Sequence, residues 1–185
     1  MKKKLNIAAC RNTQYYTRFE YTGRFFWSIL SPLFYLSPRT FFGWRNFLLR
    51  IFGAKVGKQV HIYPSARIYL PWKLSIGDES SIGEWALIYN LGVVKIGNQV
   101  TISHRAHLCA GTHDYTNSSL PLKRSDITIN SKAWVCSDVF IGPDVKIGEG
   151  AILAARSVVI NNVLPWQIVA GHPAVFRKKR KTKYL

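Results

Sequence analysis

The sequence predicts an all-β fold: a parallel β-helix of about five coils, led by a short helical segment rich in aromatics. Three observations carry this. Aliphatic residues recur every six positions, as at Val56, Ile62 and Ile68, then Ile76, Ile82 and Ile88, then Ile96, Ile102 and Leu108. After a break come Ile129, Val135 and Ile141, then Ile147, Leu153 and Val159. Glycine often follows the aliphatic (Gly57, Gly77, Gly83, Gly97, Gly142, Gly148), and a small or β-branched residue stands four positions after it (Val60, Ala66, Ala86, Val100, Ala106, Val139, Val145, Ala151, Val163). A helix would repeat every ~3.6 residues and a strand every ~2. A period of six with glycine turns belongs to a hexapeptide β-helix, in which three short strands complete a coil of roughly 18 residues.

Each element follows from that frame. Residues 1–52 lie outside the repeat, and residues 19–52 are crowded with Phe, Trp and Tyr. Pro32, Pro38 and scattered arginines argue against a membrane-spanning helix of ~20 residues, so two short helices are expected. They cap the open end of the prism or pack against a neighbouring subunit, and they suit a membrane interface as well; the readings are compatible. Residues 53–176 form the β-helix. Its inward residues fall on face A (Val56, Ile76, Ile96, Ile129, Ile147), face B (Ile62, Ile82, Ile102, Val135, Leu153) and face C (Ile68, Ile88, Leu108, Ile141, Val159). The small residue closes each corner, and glycine is expected to supply the positive φ there.

Within the first three coils the count fails only between faces C and A. The steps are eight residues from Ile68 to Ile76, eight from Ile88 to Ile96, and twenty-one from Leu108 to Ile129. All three irregularities project from one edge, and the third is a loop over residues 111–128. Loops aligned on a rigid frame mark a working face. The register sets Asn90 beneath Ala110, next to the base of the loop that carries His113. Residues 177–185 form a basic tail suited to solvent or acidic lipid.

Composition narrows the partners. Twenty-six Lys and Arg against nine Asp and Glu give a net charge of +17. Such an excess attracts nucleic acid, an anionic membrane or phosphorylated small molecules. Nucleic acid is not expected, because no binding motif accompanies the charge and charge does not explain the repeat. Cys10, Cys109 and Cys136 make neither a paired framework nor a CxxC motif, which fits reduced thiols in a cytoplasmic protein. The apolar stretch before Cys10 is about half the ~7–15 residues an export signal needs, so export is not expected.

Gly111-Thr112-His113-Asp114, Ala133-Trp134-Val135 and "VAGHPAVFRK" resemble the hexapeptide acyltransferases that use acetyl-CoA, in the branch of maltose, galactoside and nodulation-factor O-acetyltransferases. "PWKLSIGDESSIGEWALIYNLG" is more similar to the colanic-acid and exopolysaccharide acetyltransferases. The resemblance spans about residues 52–178 and implies a left-handed winding, a homotrimer with clefts between neighbouring prisms, and acetyl-CoA as acyl donor. The implied acceptor is a sugar hydroxyl of a surface-polysaccharide precursor, either free, nucleotide-linked or lipid-linked. The loop histidine that serves as base matches His113, and the family's asparagine matches Asn90, for the oxyanion or the acceptor. Ser137, Ala154 and Ala155 match the CoA groove, with Trp134 nearby, and Arg177 and Lys178 match the region of the nucleotide phosphates. The sequence departs from the pattern at Arg156, Asn161 and Val175.

The chemistry needs such a base independently. A sugar hydroxyl is a weak nucleophile toward a thioester, and imidazole, with an intrinsic pKa of ~6.5, can take its proton as it attacks. Neither metal nor cysteine nucleophile is required. Asp114, Asp126 or a backbone carbonyl could orient His113. His61, His104 and His107 fall at outward repeat positions and His172 in a terminal turn, so none is assigned to catalysis. His104, His107 and His113 follow the coil rather than converging as zinc ligands would. The competing reading is a noncatalytic β-helix binding or scaffold protein. The expected location is the cytoplasm, with peripheral contact at the inner membrane face.

Overall fold

The computed structural model describes residues 5–182. Three parallel sheets form the sides of a prism. Face A stacks Lys55–Val56, Leu74–Ile76, Val94–Ile96, Ile127–Ile129 and Lys146–Ile147. Face B stacks His61–Ile62, Ser81–Ile82, Thr101–Ile102, Trp134–Val135 and Ile152–Leu153, and face C stacks Arg67–Ile68, Leu87–Tyr89, His107–Cys109, Phe140–Ile141 and Val158–Val159. The pairing is the one the repeat predicts. Val56 meets Ile76, which meets Ile96, and Ile96 meets Ile129 across the long loop. The inward aliphatics make one continuous buried core.

The solenoid runs further than the expected five coils. Val163 bridges to Ile147 on face A, and Gln167–Gly171 adds a sixth strand to face B. Ala174–Lys179 then folds back antiparallel on that strand and closes the far end. Arg177 and Lys178 therefore stand in this closing strand.

The corners correct the expected role of glycine. Positive φ falls three residues after the inward aliphatic, at Gln59, Glu79, Trp85, Gln99, Arg105, Lys132, Asp138, Asp144 and Arg156 among others. The glycine directly after the aliphatic answers a different demand. A Cβ on Gly77 would sit 2.7 Å from the carbonyl carbon of Gly97 in the next coil. At Gly77 a side chain is excluded because the neighbouring coil approaches closely there, whereas a Cβ on Gly142 would meet nothing nearer than 3.4 Å.

Two helices close the near end of the prism: α2 (Arg18–Tyr35) and α3 (Phe42–Ile51), preceded by the short α1 (Ile7–Arg11). Thr17 and Glu20 form a reciprocal capping box at the start of α2. The helix passes through Pro32. Pro32 sits in the last turn, where Leu36 N–H donates to its carbonyl at 2.8 Å. Trp27, Phe34, Leu48 and Leu49 bury themselves over the first coil, and Trp27 Nε1–H donates to Ile68 O at 3.0 Å. Arg45 is fully buried, with its guanidinium spent on the carbonyls of Ile62, Pro38 and Arg39 and the hydroxyl of Ser37. No described helix is long and apolar enough to cross a membrane.

Candidate active site

The site begins where face C should turn to face A. Ala110 is buried, and its carbonyl accepts from Gly92 N–H at 2.8 Å and Ser125 N–H at 3.2 Å. The two ends of the loop are thereby pinned to one point. Between them, Gly111–His113 pairs antiparallel with Leu122–Arg124, setting His113 opposite Leu122. The tip is built from two local turns. Asp114 accepts from the backbone and hydroxyl of Thr116, and Asn117 does the same for Ser119. The bonds from Thr116 hold the Asp114 carboxyl below its usual range.

His113 is exposed, and its Nδ1 lies 2.6 Å from the carbonyl oxygen of Leu120. A carbonyl only accepts, so Nδ1 carries the proton in this arrangement and Nε2 keeps its lone pair. Of the three groups that could orient His113, the backbone carbonyl makes this bond. Asp114 is engaged with Thr116, and Asp126 accepts from Val93 N–H at 2.7 Å.

Asn90 lies beneath Ala110 as the register requires, and its side chain is hydrogen-bonded to backbone. It is fully buried. Its Oδ1 accepts from Tyr69 N–H at 3.2 Å and Leu70 N–H at 3.0 Å, and its Nδ2 donates to Leu70 O at 2.6 Å. The amide satisfies backbone of the coil below and so braces the corner from which the hairpin leaves.

The residues expected to meet CoA occupy a different edge. Trp134 is half-exposed on face B and donates from Nε1 to Ser103 Oγ at 3.0 Å. Ser137 follows at the B-to-C corner, 3.1 Å from His104 Nδ1, and Ala154 and Ala155 occupy the same corner one coil further. Arg177 and Lys178 are exposed in the closing strand, with Lys178 opposite Ile168. These six gather along face B and its edge with face C. His113 leaves from the opposite edge of face C, so a single chain does not bring the two sets together.

The other histidines are occupied elsewhere. His61 stacks on Phe42, and His107 packs edge-on to Phe140 with burial pushing its pKa down. His172 lies in the exposed closing turn. Cys109 and Cys136 are half-buried thiols, raised in pKa by burial. Among the described residues, no three His, Cys, Asp or Glu side chains cluster as metal ligands.

One network escaped the sequence. Arg124, in the return strand of the loop, pairs with Glu20 of α2 at 2.8 Å and also reaches the carbonyl of Tyr15. Lys73 meets the same carboxylate at 3.1 Å and donates to Leu91 O at 2.7 Å. Burial would raise the Glu20 pKa, but the bonds from Arg124, Thr17 and Lys73 outweigh it and lower the value from 4.5 to about 2. Asn6 N–H donates to Ser118 O at 2.8 Å, and the Cys10 thiol to Leu120 O at 3.2 Å. The N-terminal segment thus buttresses the loop that holds His113. The Thr17-x-x-Glu20 cap was readable, but its long-range partner was not.

A prism of stacked coils with a hairpin on one edge is the left-handed β-helix architecture. No family model matches the chain. WcaF of Escherichia coli strain K12, named as a colanic acid biosynthesis acetyltransferase, is 40% identical over 154 residues, covering 83% of this chain and 85% of that one. The chain belongs to this family of hexapeptide-repeat acetyltransferases. Among solved structures, a hexapeptide-repeat acetyltransferase of Vibrio cholerae aligns at TM-score 0.82 with 23% identity, covering 90% of this chain and 95% of that one. A galactoside acetyltransferase in complex with coenzyme A aligns at 0.81 with 21% identity, covering 94% and 88%. The family membership sets aside the noncatalytic scaffold reading.

Proposed function

We propose that the protein transfers the acetyl group of acetyl-CoA to a sugar hydroxyl of a surface-polysaccharide precursor, with His113 as general base. The bond from His113 Nδ1 to the Leu120 carbonyl is the observation that supports it, because it leaves Nε2 as the basic nitrogen on an exposed ring. As the hydroxyl oxygen attacks the thioester carbonyl, Nε2 takes its proton. The tetrahedral intermediate then collapses, the C–S bond breaks, and the proton passes to the departing thiolate. A base so placed contributes about 10²–10⁴-fold. Asn90 acts at one remove, by fixing the corner from which the hairpin leaves.

Acetyl-CoA lies along the edge built by Trp134, Ser137, Ala154 and Ala155, with Arg177 and Lys178 toward its phosphates. Because His113 and these residues stand on opposite edges of face C, a cyclic trimer completes each site by setting one prism's hairpin against its neighbour's edge. The galactoside acetyltransferase structure holds CoA, and the colanic-acid relative supports a polysaccharide acceptor. The apolar residues left exposed on and beside α2 and α3, among them Phe25, Phe26, Ile29, Leu36 and Trp44, suit contact with an anionic membrane.

The test is transfer of radiolabelled acetyl from acetyl-CoA to polysaccharide precursors. Labelled sugar ester with the wild type and its loss with His113→Ala support the reading. Transfer unaffected by that substitution overturns it.

A further inference from the structure

Between α2 and the outer surface of face C lies a cleft of about 460 Å³, lined by Arg24, Ser28, Ser31, Tyr35, Arg67 and Tyr69 among others. Its two cations are held by aromatic faces rather than by acids. Arg24 lies over the Tyr16 ring at 4.3 Å and Arg67 over the Tyr35 ring at 4.0 Å. Among the described residues no carboxylate pairs with either. Glu20, one turn before Arg24 on the same helix, is committed to Arg124 and Lys73. Arg24 Nη1 is buried without any hydrogen-bond partner. A buried guanidinium N–H left unpaired is costly and calls for an acceptor.

The cleft leads toward the loop. Tyr69 meets Tyr89 edge-on at 4.8 Å, one coil further up face C. The Tyr89 ring lies 3.2 Å from where a Cβ on Gly111 would stand, and Gly111 begins the strand that ends in His113. From Tyr69 to the coil of Cys109 is two coil rises, roughly 10 Å. Arg67 thus stands at one end of an aromatic path and the loop base at the other, while Arg24 covers the Tyr16 ring that Arg124 of the loop also covers.

We infer that this cleft is the acceptor's anionic subsite: Arg24 and Arg67 bind a phosphate or diphosphate carried by the acceptor sugar, while the sugar ring extends over Tyr69 and Tyr89 toward His113. The inference rests on the proposed sugar O-acetylation and narrows its substrate class to phosphate-linked sugars. Planar guanidinium forks match phosphate oxygens bidentately, and two of them distinguish a diphosphate from a neutral sugar.

The experiment titrates the full-length protein with inorganic pyrophosphate at saturating CoA, so that the donor's phosphate region is already filled. Wild type should bind, Arg24→Gln and Arg67→Gln should each weaken binding at least tenfold, and Lys95→Gln, an exposed cation on face A, should not. Arg67 is exposed, so its variant keeps the fold even if the Arg24 variant does not. Acetyl-transfer assays then compare a nucleotide diphosphate sugar, a polyprenyl diphosphate sugar and the same sugar without phosphate. A rise in acceptor KM confined to the phosphorylated acceptors in Arg67→Gln supports the subsite, and the better of the two names the source. Pyrophosphate binding that is absent, or equal in wild type and both arginine variants, overturns it. Transfer to the neutral sugar alone also overturns it, yet leaves the O-acetyltransferase reading standing.

Discussion

The imidazole of His113 and the carbonyl of Leu120 lie 2.6 Å apart across the tip of the long loop. Leu120 has φ +48°, a left-handed conformation uncommon for a branched side chain, and its N–H is held by Asn117 O at 3.0 Å. The loop thus sets this carbonyl where it fixes the ring and its tautomer. Replacing His113 by Ala should lower acetyl transfer at least ~10²-fold. Melting temperature and CoA affinity should hardly move, because the ring is exposed and the donor edge is elsewhere. His61→Ala and His107→Ala should keep most activity. Steady-state kinetics on the three variants decide it, and a comparable loss in either control would remove the assignment.

The Glu20 cluster makes the buttress pH-dependent. With a folded pKa of about 2 against an ordinary 4.5, the carboxylate stabilises the fold above pH 4.5. That contribution fades as pH falls from 4.5 toward 2, and in full it is on the order of 3 kcal/mol. Urea unfolding at pH 7, 4 and 3 should show the loss in wild type. Glu20→Gln should start lower at pH 7 and depend less on pH over this window. Parallel curves for the two proteins would refute the role given to this carboxylate.

Asn90 separates a structural from a chemical role. Truncation to Ala strands the N–H groups of Tyr69 and Leu70 and the carbonyl of Leu70, each worth about 1–3 kcal/mol when buried and unsatisfied. Asn90→Ala should therefore lower stability by at least ~2 kcal/mol and reduce activity with it. Unchanged denaturant stability with activity lost would return Asn90 to the reacting centre.

The aromatic face of the helical cap carries the membrane proposal. Deleting the segment would not test it, since Trp27 and Phe34 are part of the core. Phe25, Phe26 and Leu36 are exposed, Leu36 by 84%, and can be changed without emptying that core. A triple change to Ser should reduce co-sedimentation with phosphatidylglycerol vesicles at least tenfold while sparing activity on a water-soluble acceptor. Equal partitioning of the two proteins would leave this face without a lipid role.

The sequence made the prism legible because its constraint is local and periodic. One aliphatic every six residues set the register of the five expected coils, down to Ile96 opposite Ile129 across the loop, but not the sixth strand of face B. The place of His113 on the long loop could be read because it stands where the period fails. The hydrogen-bond partners of Asn90 could not, since an amide spent on the backbone one coil away has the same spacing as one facing a substrate. Arg124 was equally opaque, because its carboxylate partner lies 104 residues earlier. The corner glycines had the right positions and the wrong reason, and that difference can be measured.

Gly77 and Gly43 form the comparison. A Cβ on Gly77 would stand 2.7 Å from Gly97 C and 2.8 Å from Asn98 N, both backbone of the next coil, which cannot rotate away as a side chain could. Coils would have to separate, so Gly77→Ala should destabilise by at least about 2 kcal/mol despite an ordinary φ. Gly43 lies in the first turn of α3, exposed and with nothing within 4 Å of the same construction. Gly43→Ala there should stabilise by roughly 0.5–1 kcal/mol, by restricting the unfolded chain and favouring the helix. Urea titrations of the two variants measure opposite signs if close approach governs the repeat glycines. A Gly77→Ala protein as stable as the wild type would mean that the coils tolerate a methyl group and that the glycine period has another origin.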